Sequence, residues 1–365
     1  INVCKKCSDN NIECILFETP YNKKEKRFNR IDSWEKIYTY ISNKKINVIL
    51  DTDTYNECDD QFALSYLIKN QAKFNIEAIT VSPYSHRTIG RSVSEGQELS
   101  YREILKICSW LNFDAINKVF KGATDYIQNG YKENNDAVNK IIEIAIKNNK
   151  TYILGIGAIT NIALAIKKEP KIIDKIEVIW LGGNELNYKD NLEYNFKQDI
   201  EAVKIVLNSK VKLIILPCKN VISKLKIDII FGLPKKIEGK KVILETREEM
   251  LQTVRDISKL KIDINTLKKN IGNKSVLCDY LINRFYNDGY HGIQEERTIW
   301  DISVVAYLIN KSWYKEKIVS CPDVNEDTSY RLTKGKHNIT MITDVDSNKI
   351  YEDLFKKLGE RYEIE

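Results

Sequence analysis

The stretch Asn47-Val-Ile-Leu-Asp51-Thr-Asp53-Thr-Tyr-Asn56-Glu57-Cys-Asp59-Asp60-Gln-Phe constrains this chain more than any other. The apolar run from Ile46 to Leu50 reads as a buried strand, and Phe62, Ala63, Tyr66 and Leu67 fall at the spacing of an amphipathic helix. Between the two, five acidic side chains crowd into ten residues. Carboxylates that close repel one another, so the turn is either a solvated acidic loop or the wall of a site for a hard cation that takes oxygen ligands. In open α/β sheets ligands collect at the carboxyl ends of strands. A metal-centred site is therefore the working expectation.

From Ile46 onward, β-branched runs alternate with longer helical patterns. Strands are expected at 46–51, 76–82, 117–120, 151–156, 176–181 and 211–216, with helices at 60–69, 100–111, 135–148, 161–167 and 199–208. Such alternation predicts an α/β fold with a mostly parallel, Rossmann-like central sheet and helices on both faces. Ser100-Tyr-Arg-Glu103 has the form of a capping box and sets one helix start. After a Gly/Pro/Lys-rich loop near 231–241, helical additions are expected at about 244–258, 273–286 and 299–310, then a strand at 338–345 and a helix at 347–358. Residues 1–45, with a short helix near Trp34 to Ile41, read as an N-terminal extension, and 46–365 as a single domain.

Composition excludes some partners. The net charge of +6 arises from 57 Lys and Arg spread among 51 acids, without the concentrated basic face that nucleic-acid binding needs. No apolar run approaches the ~20 residues of a membrane span. Eight cysteines stand mostly isolated in apolar surroundings, which suits free thiols in a reducing, cytoplasmic compartment. The sequence begins at Ile1 rather than Met, which leaves room for a targeting segment ahead of it. Cys4-Lys-Lys-Cys7 with Cys14 is a partial zinc-ligand pattern that would need a fourth donor.

Three further stretches carry potential chemistry. Ile153-Leu-Gly-Ile156-Gly157-Ala-Ile-Thr160-Asn161 runs a strand into a glycine turn, where a backbone carbonyl can approach a ligand or a helix can pack closely. Leu181-Gly-Gly-Asn184 precedes Glu193-Tyr-Asn195, whose Glu and Asn would project from one side of an extended segment and could bracket vicinal hydroxyls. Asp199 reads as the cap of the following helix. Arg297-Thr-Ile-Trp300-Asp301 opens an apolar helix, where Asp301 reads as an N-cap or as a ligand.

Taken together, these four stretches resemble the nucleoside hydrolases, the inosine/uridine-preferring N-ribohydrolases, over roughly residues 46 to 358. The resemblance implies that Asp53, Asp60, Asp301 and the Ile156 carbonyl hold Ca²⁺, that Asp59 grips a ribose hydroxyl, and that Asp51 supports them. It also implies ribose contacts from Glu193 and Asn195, and from Asn187, whose spacing before Glu193 matches an asparagine at the 5′ end of the sugar. Asp53 would be the general base and Asp59 would share the catalytic work. The expected activity is Ca²⁺-dependent hydrolysis of the N-glycosidic bond of a small-molecule nucleoside, releasing ribose and base, as in purine salvage. Family members suggest a homodimer or tetramer.

Three departures stand out. The spacer Thr54 to Cys58 is two residues longer than the family's, which brings Asn56 or Glu57 within range of the site. Trp300 stands where many members have a histidine, and could stack on a base or lie in the core. An asparagine usual after the second strand is absent. His86 is one candidate to replace its contact, and His291 one to protonate the leaving base. Two other functions stay open: a nucleoside-binding protein without turnover, and a haloacid-dehalogenase-like Mg²⁺ phosphatase using Asp51 as nucleophile and Asp53 as acid/base.

Overall fold

A computed structural model of the chain describes residues 14–24, 26–42, 45–85, 90–132, 134–228, 266–287, 296–333 and 335–360. The apolar run before the acidic turn forms β1 (Ile46–Thr52), and the alternation that follows forms β2 (Phe74–Val81), β3 (Val119–Lys121), β4 (Thr151–Gly155), β5 (Ile176–Leu181) and β6 (Lys212–Leu216). Two later strands, β7 (Tyr314–Ser320) and β8 (Asn338–Val345), complete one eight-stranded sheet in the order β7-β8-β6-β5-β4-β1-β2-β3. Every pairing in it is parallel except that of β7 with β8.

The sheet is covered on both faces, and β1 shows why. Val48 and Leu50 join one apolar cluster and Ile49 the other, because successive strand side chains point to opposite faces. The first cluster packs α1 (Asp59–Lys69), α2 (Val93–Trp110), α7 (Val276–Asn287), α8 (Ile302–Ile309) and α9 (Ser347–Gly359). The second packs α3 (Asp136–Lys147), α4 (Thr160–Lys168) and α6 (Ile200–Asn208). Between β5 and α6 lies the short α5 (Tyr194–Gln198).

Several expectations change. The capping box lies at Ser92 and Glu95, not at Ser100 and Glu103, so α2 begins seven residues before the residue taken as its start. Glu193 and Asn195 do not share an extended segment: Glu193 is the N-cap of α5 and Asn195 lies within it. The edge strand β7 was not expected. Before the sheet, residues 15–17 and 29–31 pair in parallel ahead of a helix at Trp34–Ser42. Five described cysteines are free and buried, whereas Cys14 is disulfide-bonded and so lacks the thiolate a zinc site requires. The expected helix at 244–258 and loop at 231–241, with Cys4, Cys7, His86 and His291, lie outside the described residues. No described helix is long and apolar enough to cross a membrane.

Candidate active site

The carboxyl ends of β1, β4, β5 and β6 open onto one cavity of about 450 Å³. Its wall includes Asn56, Glu57, Asp59, Ile156, Asn184, Glu193, Asn195, Trp300 and Asp301, brought together from all four sequence stretches. Among the described residues, one buried group has the geometry for a cation: Asp59, Asp60 and Asp301 each offer a carboxylate oxygen, all within 4.8 Å of one another. Asp301 occupies the N-cap position of α8 but makes no side-chain cap bond, so its carboxyl is turned to the other aspartates and not to its own helix.

The turn after β1 is built to hold these groups. Asn56 closes it, donating its backbone N–H to the Asp53 carbonyl at 2.7 Å and its Nδ2 to Asp53 Oδ2 at 3.0 Å. α1 then starts with Asp59 and Asp60 in its first turn, where the helix dipole favours negative charge. Thr52 Oγ1 donates to Asp60 Oδ1 at 2.6 Å. Asp53 and Asp60, only 1% and 2% exposed, lie beneath the cavity wall and not on it. The longer spacer thus puts both Asn56 and Glu57 at the site, while its Tyr55 ring lies 5.5 Å from the Arg91 guanidinium and 5.4 Å from that of Arg284.

Electrostatics argue for a cation. Burial pushes Asp53, Asp59 and Asp301 well above the usual carboxylate range, and repulsion adds to it from Asp60 on Asp53, from Glu57 on Asp59, and from Asp59 on Asp301. Burial likewise raises Asp60, to about 7, although the Thr52 hydroxyl opposes it. Interaction between the Asp60 and Asp301 carboxyls lowers the first and raises the second. Among the described residues no lysine or arginine forms an ion pair with any of the four, and the positive charge of Arg297 bears only on Asp59. A set of buried, oxygen-only donors lacking counter-charge fits a hard divalent ion.

The remaining walls complete the site. Ile156, 1% exposed, follows β4, and its carbonyl accepts from Asn195 Nδ2 at 3.2 Å. The same Nδ2 donates to the Leu181 carbonyl at 3.0 Å, which leaves the Asn195 Oδ1 as the atom available to a ligand. Glu193 accepts from the backbone N–H groups of Gly183, Asn195 and Phe196, and retains little further acceptor capacity. Burial raises its pKa. Trp300 is half-buried on the cavity wall, and its backbone N–H donates to Asp59 Oδ2 at 3.2 Å. Asn184 lines the cavity, while Asn187 is exposed and not on the wall.

Asp51 is held away from the cavity, its Oδ1 accepting from Thr80 Oγ1 at 2.6 Å and Asn161 Nδ2 at 2.9 Å. Burial raises it to about 7. Asp199 caps α6 as expected, and it also binds Thr160 Oγ1 at 2.6 Å. Gly157 keeps this approach open, because a Cβ there would come within 2.1 Å of Ser82 Oγ and 2.8 Å of Asp53 Oδ1, so a side chain would have to shift. Tyr188, Cys218 and Lys219 also line the cavity. They carried no signal in sequence, since only the ends of β5 and β6 bring them there.

Residues 48–352 match the model of the inosine-uridine preferring nucleoside hydrolases. The chain is 26% identical over 229 residues to a probable ribonucleoside hydrolase of Dictyostelium discoideum, an alignment covering 58% of each protein. It is 39% identical over 77 residues to the inosine-uridine preferring nucleoside hydrolase of Crithidia fasciculata, covering 20% of this chain and 24% of that one. The chain therefore aligns with less than two thirds of the length of these curated relatives. Its fold is that of a plant nucleoside hydrolase, with a TM-score of 0.64 at 15% identity over 87% of this chain and 100% of the other. It is also that of a purine-preferring ribonucleoside hydrolase from Gardnerella vaginalis, with a TM-score of 0.60 at 19% identity over 86% and 98%. With the family model matched across most of its length, the chain belongs to the inosine-uridine preferring nucleoside hydrolase family.

Proposed function

We propose that this protein hydrolyses the N-glycosidic bond of ribonucleosides with the help of one Ca²⁺, and that Asp53, Asp60, Asp301 and the Ile156 carbonyl hold the ion, with Asp59 at its edge. The observation that carries the reading is the meeting of Asp59, Asp60 and Asp301, buried and within 4.8 Å, beside a cavity whose wall also carries Glu193 and Asn195. A bound Ca²⁺ would supply Lewis acidity and a water of lowered pKa. Asp53 would be the group that accepts a proton from the attacking water. Asp59 and the Asn195 Oδ1 would accept hydrogen bonds from hydroxyls of the sugar and hold its anomeric carbon toward the water, a positioning effect that accounts for a large part of such rate enhancements.

Bond breaking places positive charge on the ring and negative charge on the base. The carboxylates around the sugar favour the first. Trp300, on the same wall, offers a face on which a purine can stack. The phosphatase alternative does not survive: Oδ1 of its nucleophile, Asp51, is pinned by Thr80 and Asn161, and the chain belongs to a different family. Incubation with inosine, guanosine, adenosine and uridine, with free base separated by chromatography, tests the reading. Release of base supports it. Ca²⁺-dependent binding with no base released would make the protein a nucleoside binder.

A further inference from the structure

A second cavity, also of about 450 Å³, lies at the opposite end of the sheet, where β4, β5, β6 and β8 begin. Its wall carries Lys150, Lys175, Lys210, Lys212 and His337 against the carboxylates of Asp174 and Glu177. The distribution of charge is uneven. Glu177 is 1% exposed, and a single oxygen of it, Oε2, takes both the Lys150 and the Lys212 ammonium at 2.9 Å. Lys175 bonds only to a neutral carbonyl, that of Ile146, at 3.0 Å. Lys210 has no ion-pair or hydrogen-bond partner among the described residues, and its backbone is left-handed, with φ at 66°. This is the left-handed conformation common just past a helix end, here one residue after the Ser209 C-cap of α6.

Two further features favour a ligand here. His337 Nε2 is a buried ring nitrogen with no hydrogen-bond partner. Burial and the nearby Lys336 and Lys210 charges lower the pKa of this imidazole. Glu177 already offsets Lys150 and Lys212, so Lys175 and Lys210 are the ammonium groups of this wall without a carboxylate partner among the described residues, and phosphoryl oxygens are acceptors that lysines bind as point charges. We propose that this cavity is a binding site for a phosphoryl anion, a small phosphate or diphosphate, held by Lys210, Lys175 and His337, with Lys150 and Lys212 sharing their contact with Glu177. It is separate from the nucleoside site and does not depend on the reading of that site. β4, β5 and β6 each begin at this cavity and end at the other, so three strands join the two sites directly.

The test uses the full chain without added metal, titrated with pyrophosphate, inorganic phosphate and sulfate by calorimetry at physiological ionic strength. The imidazole signals of the three histidines are followed by ¹H–¹⁵N NMR, with His337→Gln identifying the relevant one. The proposal expects saturable pyrophosphate binding that shifts the His337 signal. Lys210→Gly should weaken binding about tenfold, the loss of one charge-assisted contact, while thermal stability holds or rises because glycine accepts the left-handed backbone. No saturable binding, an unmoved His337 signal, or wild-type affinity in both Lys210→Gly and Lys175→Ala would overturn it. Equal affinity for sulfate would overturn the phosphoryl assignment.

Discussion

Thr328 grips Asn191 at two points: its Oγ1 accepts from the Asn191 backbone N–H at 2.9 Å, and its carbonyl accepts from Asn191 Nδ2 at 2.8 Å. Asn191 Oδ1 in turn accepts from the backbone N–H of Asn184, on the cavity wall, at 2.6 Å. All three residues are buried, and Thr328 holds this position at a φ of 69°, a conformation that costs a β-branched residue on the order of 1–2 kcal/mol. Thr328 lies in the turn of a hairpin whose strands pair 322–324 with 330–332, and this turn thus shapes the loop that forms one side of the cavity. Asn191→Ala strands the Asn184 N–H and the Thr328 carbonyl, and we expect a loss of about 1–3 kcal/mol in urea unfolding. The same variant should raise KM for nucleoside with little change in kcat, since it alters a wall and not the acidic centre. An unchanged KM would reduce the clamp to a purely structural feature.

The metal reading predicts a linked stability. Ca²⁺ at about 100 times its dissociation constant should stabilise the fold by about 2.7 kcal/mol through mass action. Melting temperatures measured in EDTA and in Ca²⁺ should differ for the wild type and coincide for Asp60→Asn. That variant keeps the size of the side chain but loses the charge. A Ca²⁺ response that persists in the variant would place the ion elsewhere.

Gly157→Ala tests the close approach beneath the site. Its methyl would lie 2.1 Å from Ser82 Oγ and 2.8 Å from Asp53 Oδ1, so one or both must move. Overpacking of this kind costs typically 1–3 kcal/mol. We expect kcat to fall together with stability, because the displaced group is the carboxylate assigned as base. Full activity in the variant would show that Asp53 tolerates movement and would count against that role.

The acidic turn and the parallel sheet were legible because each rests on local pattern: β-branched runs for strands, clustered carboxylates for a site. The start of α2 was not. Ser92-Val-Ser-Glu95 and Ser100-Tyr-Arg-Glu103 both fit a capping box, and Gly96 after the first reads as a helix breaker. Tertiary contact decides between them. A Cβ at position 96 would lie 2.4 Å from the Tyr84 carbonyl oxygen, so glycine is needed where propensity argues against it. Ser100 instead accepts from the Tyr55 backbone N–H at 3.1 Å, and Glu103 accepts from Gln61 Nε2 at 3.0 Å. The edge strand β7 escaped notice because its Lys-Glu-Lys sequence protects an exposed edge and so carries little apolar signal. The helical setting of Glu193 was hidden for a similar reason, since α5 has five residues and no periodicity to read.

The hairpin that pairs 322–324 with 330–332 should be sensitive to acid. Lys336 and the Thr333 hydroxyl hold Asp323 down at about 2, against an ordinary 3.8. A carboxyl whose folded pKa is depressed contributes stability above its unfolded pKa and loses that contribution as pH falls toward the folded value. Urea midpoints of the wild type and Asp323→Asn should therefore differ at pH 6 and converge as the pH drops from about 4 toward 2. A difference independent of pH would mean that the ion pair contributes nothing.

The central claim is that far-separated carboxylates meet around one cation to cleave a riboside. The most direct measurement is ribose release from inosine, followed as reducing sugar, for the wild type and Asp301→Asn in calcium buffer and in EDTA. The expected result is release by the wild type that stops in EDTA and returns with Ca²⁺, and almost none from the variant under any condition. Release that continues in EDTA, or that survives the loss of Asp301, would contradict it.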